Sequence, residues 1–343
     1  MRIALRGVGA ALWVGLVACG GGSGDSLAGA DGGAGSTSPG QPGQPSSSSD
    51  AGGPSTNPPA SSKDAGADAH PSGGGSDASV PASDAGGGDA GASTPSRKRG
   101  IAYGSHSDAD LAALSAGIGW WYNWSPHPDS TLTSASAAAG VEFVPMIWGG
   151  TFDPTQLATQ VPADAKYLLT FNEPNFGAQS NLTPQQAAAL WPKIEAFAQS
   201  KNLAIVSPAL NYCGGNCNET NPFTWMDAFF AACTGCKVDY VAMHWYACTK
   251  SALQSYLSDY ESKYTQPLWL TEFSCLDDKS LANDSGEAKY MADALALLEA
   301  DPRVFRYSWF TGRDTSAAEI NLLGATSGTL TSLGQAYVSF PEK

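Results

Sequence analysis

Eight short apolar runs, separated by stretches of helical pattern, occupy residues 98–343 and restrict the fold more than any other feature of the chain. The runs are 100–104, 119–124, 142–148, 167–173, 204–210, 238–246, 267–273 and 304–310. Helical patterns lie between them at 108–116, 184–199, 222–232, 251–264 and 286–300. Thr183-Pro184 and Asn221-Pro222 read as helix starts, each a capping side chain followed by a proline whose missing N–H is harmless in the first turn. The runs are apolar on both faces, as parallel strands are when helices cover the sheet. Eight such units in about 245 residues predict one α/β domain, a closed (β/α)8 TIM barrel, rather than an open doubly wound sheet. No Gly-rich dinucleotide fingerprint follows any run, which also argues against the open sheet.

A barrel of this kind carries its chemistry on the loops after the strands. Two glutamates end apolar runs: Glu173 in Leu168-Leu169-Thr170-Phe171-Asn172-Glu173-Pro174, and Glu272 in Leu268-Trp269-Leu270-Thr271-Glu272-Phe273. Side chains alternate along a strand, so Glu173 shares a face with Leu169 and Phe171, and Glu272 with Leu268 and Leu270. Pointing inward, they meet over the mouth from the fourth and seventh strands. Paired carboxylates across a cleft are the working parts of glycosidic-bond hydrolysis, one ionised to attack and one protonated to donate. The charge of one raises the pKa of the other and keeps the donor protonated. Either glutamate alone reads equally well as a helix cap or ion-pair partner; the two at matched strand ends point to catalysis.

His244 and Tyr246 share one face of the sixth strand, beside the strand of Glu272, and are expected in the site together. Trp121, Trp124, Trp148, Trp245 and Trp309 lie near strand ends, where flat aromatic faces stack on sugar rings; the competing reading is core filling. Trp148 and Trp309 are expected to point into the mouth. Trp121 and Trp124 fall on opposite faces of their strand, so alternation alone does not assign both, and Asn123 beside them is a candidate for a sugar hydroxyl. Trp269 is expected in the core, on the face opposite Glu272.

Four of these segments carry a closer likeness: Gly119-Trp120-Trp121-Tyr122-Asn123-Trp124, Glu142-Phe143-Val144-Pro145-Met146-Ile147-Trp148, Phe171-Asn172-Glu173-Pro174-Asn175 and Val241-Ala242-Met243-His244-Trp245-Tyr246. Together with Thr271-Glu272-Phe273 they resemble glycoside hydrolase family 128, the alkali-sensitive-linkage-like β-1,3-glucanases among the clan A retaining glycosidases. The likeness covers nearly all of the folded part and none of the N-terminal region. It implies an endo-β-1,3-glucanase that needs no cofactor, with Glu173 as general acid/base and Glu272 as nucleophile. It also implies that Asn172 bonds the 2-hydroxyl of the sugar and that Tyr246 orients the nucleophile. Two alternatives stay open: another linkage (mannan, xylan or β-1,4-glucan), and a surface protein that binds glucan without cutting it.

The composition agrees with a neutral polysaccharide partner. The formal charge is −14, and so acidic a chain is ill suited to nucleic acid or a polyanionic substrate. The domain is expected to be monomeric. Six cysteines lie in it: Cys213, Cys217, Cys233, Cys236, Cys248 and Cys275. The first four approach a zinc-site spacing, but an even count in an exported chain favours disulfides. A Cys248–Cys275 bridge would brace the rim of the site; the pairing of the other four is open.

Export is read from the N-terminus. Arg2 and Arg6 precede an apolar stretch at 7–18, too short to span a bilayer, which ends in Leu16-Val17-Ala18-Cys19. That ending resembles the bacterial lipobox, in which the cysteine, here Cys19, is lipidated, and Gly20 after it implies display on the outer membrane. Residues 20–97 are mostly Gly, Ser, Ala, Pro and Asp, with no Phe, Trp or Tyr and only Leu27 and Val80 as larger aliphatics. They bury too little apolar surface to offset chain entropy and are expected to be a disordered tether, with a reach of about 50 Å.

Overall fold

A computed structural model describes residues 98–132 and 140–342. The export signal, Cys19 and the tether lie outside the described residues. All described residues belong to one compact unit.

The strands are β1 Arg99–Ala102, β2 Trp120–Tyr122, β3 Glu142–Phe143, β4 Met146–Ile147, β5 Tyr167–Asn172, β6 Ala204–Ala209, β7 Val241–Trp245, β8 Leu268–Phe273 and β9 Val304–Trp309. The helices are α1 Asp108–Leu114, α2 Pro154–Gln160, α3 Pro184–Lys201, α4 Pro222–Ala232, α5 Lys250–Lys263, α6 Asp284–Ala300 and α7 Ser332–Ser339. Each of the eight expected runs contains strand. One run is split, because Pro145 has no N–H to donate. Its first half, β3, pairs with β2, its second half, β4, with β5, and the Pro145 carbonyl still accepts from Leu169 N–H at 2.9 Å.

Every strand pairing is parallel, in the orders β3-β2-β1-β9-β8-β7 and β4-β5-β6. Parallel bridges Val206↔Tyr240 and Leu210↔Met243 join β6 to β7, and the split run joins β3 to β4. The ring is therefore closed, as expected. The two proline starts are capped as read: Thr183 accepts from Gln186 N–H in a capping box, and Asn221 accepts from Phe223 N–H. The sequence reading missed α2, since a seven-residue helix with Leu157 as its one buried residue shows no apolar period. It missed the eight-residue α7 as well.

Two aromatic layers make the core. Inside the barrel, Trp269 packs on Trp120, Tyr167, Tyr240 and Phe305 at centroid distances of 5.0–5.8 Å. The Arg306 guanidinium lies over four of these rings and pairs with Glu142 at 2.6 Å. Outside, Phe171 packs on Trp191 of α3, Trp245 stacks on Tyr256 of α5, and Trp309 meets Tyr337 of α7.

These contacts correct three expectations drawn from strict alternation. Trp269 is in the core, but it faces the barrel interior like Glu272, because the register of β8 slips against β7 between Leu270 and Glu272. Such a bulge inserts one residue and resets the alternation. On β5, register shifts flank Thr170, so Phe171 turns outward while Glu173 faces the mouth. Trp309 is fully buried, donates to Ile320 O at 2.8 Å and packs on Phe273 and Tyr337; it belongs to the outer layer and not to the mouth.

Candidate active site

β5 and β8 each deliver one carboxylate to the mouth. Glu173 follows β5 in the left-handed region, φ 40°, after Phe171 at φ 26°. Residues other than glycine hold such conformations only where the surroundings over-determine them, and they gather at functional sites. Here Pro174 follows, and the Glu173 N–H donates to Ala209 O at 2.9 Å, tying the turn to the end of β6. Glu272 is aimed by the β8 bulge. An oxygen of Glu173, Nδ1 of His244 and an oxygen of Glu272 all lie within 4.8 Å of one another.

The two carboxylates have different company. Glu272 is held by three hydrogen-bond donors and an ion-pair contact. Tyr122 O–H at 3.0 Å and Trp124 Nε1–H at 2.8 Å donate to Oε1, while Tyr246 O–H donates to Oε2 and His244 Nδ1 lies 3.3 Å from Oε2. Glu173 has the contact of His244 Nδ1 to its Oε1 at 3.0 Å. Burial, only partly offset by His244 and reinforced by the charge of Glu272, pushes the Glu173 carboxyl above its ordinary range. Burial pulls His244 down, but the charges of Glu272 and Glu173 and the Glu173 hydrogen bond outweigh it, so its imidazole stays protonated to higher pH than usual. Burial first, and the Glu272 charge second, hold the hydroxyls of Tyr122 and Tyr246 well above the ordinary tyrosine range, which keeps both as donors.

The distances of the Glu173–His244–Glu272 group would suit a metal ion. The donor set argues otherwise: Tyr122, Trp124 and Tyr246 already direct hydrogens at the Glu272 oxygens, and His244 bridges the two carboxylates as a cation would.

Other expected residues divide. Asn172 is buried beside Glu173; its Nδ2 reaches Gln179 Oε1 at 3.3 Å and its Oδ1 has no partner. Trp148 follows β4, half-buried, and lines, with Pro126, Phe152 and Gln156, a cleft of about 350 Å³. Trp124 is half-buried at the mouth. Trp121 is corrected: it is fully buried between His106 and Phe143, outside the barrel. Asn123 is also corrected, because its amide braces its own loop, donating to Asp129 Oδ1 at 2.8 Å and accepting from Ser125 N–H at 3.2 Å. Tyr122 was not anticipated; the signal available was the i, i+2 series Trp120, Tyr122, Trp124, which lines one face of β2.

The cysteines form three disulfides, Cys213–Cys217, Cys233–Cys236 and Cys248–Cys275. The zinc-like spacing thus resolves into two local bridges. The third ties the loop after β7 to the segment after β8, three residues beyond Glu272.

A closed barrel with two differently solvated carboxylates at its C-terminal mouth is the architecture of a glycoside hydrolase. Residues 100–337 match the family described as the glycosyl hydrolase catalytic core. A subgroup II endo-β-1,3-glucanase of glycoside hydrolase family 128 from Sorangium cellulosum is 46% identical, with a TM-score of 0.68, over 71% of this chain and 99% of that one. A subgroup I endo-β-1,3-glucanase from Amycolatopsis mediterranei, solved with laminaritriose, is 31% identical, with a TM-score of 0.57, over 71% of this chain and 99% of that one. Alkali-sensitive linkage protein 1 of Schizosaccharomyces pombe is 30% identical over 256 residues, 72% of this chain and 45% of the relative, so the chain spans less than half of that protein. The chain belongs to glycoside hydrolase family 128.

Proposed function

We propose that the domain is a retaining endo-β-1,3-glucanase. The observation that carries the reading is the unlike pair at the mouth, Glu272 under three hydrogen-bond donors and Glu173 raised by burial, with oxygens within 4.8 Å. Retaining enzymes hold their carboxyls about 5–5.5 Å apart, and inverting enzymes hold them about 6.5–9.5 Å apart to admit a water. The glucanase activity of the Sorangium and Amycolatopsis relatives supports the linkage.

In the first step a Glu272 oxygen bonds to the anomeric carbon, the glycosidic C–O bond breaks, and the Glu173 proton passes to the departing oxygen. In the second, Glu173 takes a proton from water, the water oxygen bonds to the anomeric carbon, and the Glu272 ester bond breaks. Asn172 Oδ1, buried without a partner, accepts from the 2-hydroxyl of the sugar under attack. Trp124 and Trp148 offer ring faces to the glucan.

The test is reducing-sugar release from linear β-1,3-glucan by wild type, Glu272→Gln and Glu173→Gln, with products sized by chromatography and their anomeric form followed by NMR. Mixed oligosaccharides released first in the β form are expected, with release falling by about three or more orders of magnitude in Glu272→Gln. Release of a single small product would replace endo by exo action. Binding without release on β-1,3-glucan, mannan, xylan and β-1,4-glucan would refute the enzyme. The same reading places the protein outside the inner membrane, anchored at a lipidated Cys19 and monomeric. Metabolic labelling with a fatty acid that persists in Cys19→Ser would refute the anchor.

A further inference from the structure

We propose that Tyr122 and Trp124, at the end of β2, form a positioning clamp on the nucleophile, holding Glu272 by Oε1 while β7 holds it by Oε2. This rests on the reading of Glu272 as the nucleophile. Tyr122 is fully buried, and of its two acceptors within reach, Glu272 Oε1 at 3.0 Å and Thr271 O at 3.2 Å, the carboxylate is the stronger. Trp124 reaches the same oxygen at 2.8 Å.

Trp124 does so from a left-handed backbone, φ 59°, unusual for so bulky a residue. Its ring is wedged edge-on against Tyr122 at 5.4 Å and Phe310 at 6.0 Å. Below it, Tyr122 stacks on Trp120 and Trp120 meets Trp269 edge-on, one aromatic column from barrel interior to mouth. Rigid packing beneath a donor is what keeps a reacting group within a fraction of an ångström of its productive place. With donors on both oxygens from strands on opposite sides, the carboxylate has no free rotation left. The titratable groups facing Glu272 are Tyr122 from β2, His244 and Tyr246 from β7 and its beyond, and Glu173 after β5; Trp124 adds an uncharged donor.

The test is steady-state kinetics of the full chain on a linear β-1,3-gluco-oligosaccharide as a function of pH, for wild type, Tyr122→Phe, Trp124→Phe and Glu272→Gln. Each aromatic variant keeps its ring or nearly so and loses one donor. For Tyr122→Phe we expect kcat to fall about 10- to 100-fold with KM little changed, and the acid limb of the pH–rate profile to move to higher pH. Trp124→Phe should show the same limb shift. A fall in kcat with an unmoved acid limb, or no fall, would overturn the clamp. Should Trp124→Phe not fold, Tyr122→Phe, which lacks a single oxygen, decides alone. Activity in Glu272→Gln would sink the nucleophile reading itself; an inactive Glu272→Gln beside unshifted aromatic variants would sink only the clamp.

Discussion

Replacing His244 by asparagine tests how the two carboxylates are kept apart in charge. The imidazole is fully buried, with Nδ1 3.0 Å from Glu173 Oε1 and 3.3 Å from Glu272 Oε2. Asparagine retains an N–H but carries no charge. A hydrogen bond to a charged group contributes about 1.5–3 kcal/mol, so kcat/KM should fall roughly 10- to 100-fold at about 1.4 kcal/mol per decade. The direction of the pH change is more diagnostic than its size. His244 opposes the rise that burial and Glu272 impose on Glu173; without it the Glu173 carboxyl rises further. The acid must be protonated to act, so the basic limb should move to higher pH. Stability gives a second readout. A histidine whose pKa is raised on folding contributes stability that is complete below about 6.5, its unfolded value, and is lost as pH rises through the raised folded value. Glu173 contributes with the same sign, its share being lost as pH climbs above the ordinary glutamate range. The share of these two groups in the melting temperature should therefore decline as pH rises above the ordinary glutamate range, and His244→Asn should flatten the part of that decline above about 6.5. A basic limb that stays in place or moves to lower pH in the variant would refute the bridging role.

Reducing or removing Cys248–Cys275, which spans 27 residues, should cost roughly 3.5 kcal/mol on the loop-entropy argument, against roughly 2 kcal/mol for either local bridge; calorimetry of the three paired Cys→Ser variants gives the order. Trp309→Phe should lower the melting temperature through its lost bond to Ile320 O and leave KM unchanged, whereas Trp148→Ala should raise KM; a raised KM in Trp309→Phe would contradict its outward placement. Glu299→Ala removes the counter-charge of the buried Arg99 guanidinium, paired at 2.9 Å, and leaves it the hydrogen bonds to Tyr307 and the Tyr337 carbonyl; it should destabilise by about 3 kcal/mol in denaturant melts without moving either limb of the pH profile.

Much of the site was legible before the structure because it uses positions that a barrel makes special. Glu173, Glu272, His244 and Tyr246 stand at strand ends, and strand ends show in a sequence as the place where an apolar run stops. The aromatic assignments fared worse. Trp121, Trp148, Trp245, Trp269 and Trp309 all read as aromatics of a half-exposed mouth or a core, and alternation was the one tool for dividing them. Alternation fails at a bulge, and the slips at Leu270–Glu272 and around Thr170 leave no mark in composition. Tyr122 escaped for another reason: a tyrosine in an apolar run looks like core until its hydroxyl is seen to reach the carboxylate of a strand 150 residues away.

Local chemistry is thus what the chain alone determined: eight apolar runs with capped helices between them, two carboxylates at run ends, an even set of cysteines. These follow from periodicity and residue type, which act over a few residues. Which tryptophans lie at the mouth and which in the core, which cysteines pair, and how Glu272 comes to be held from both sides were decided only by closure of the barrel. Closure sets the register between strands, and register, summed around a ring, is a property that no single segment contains.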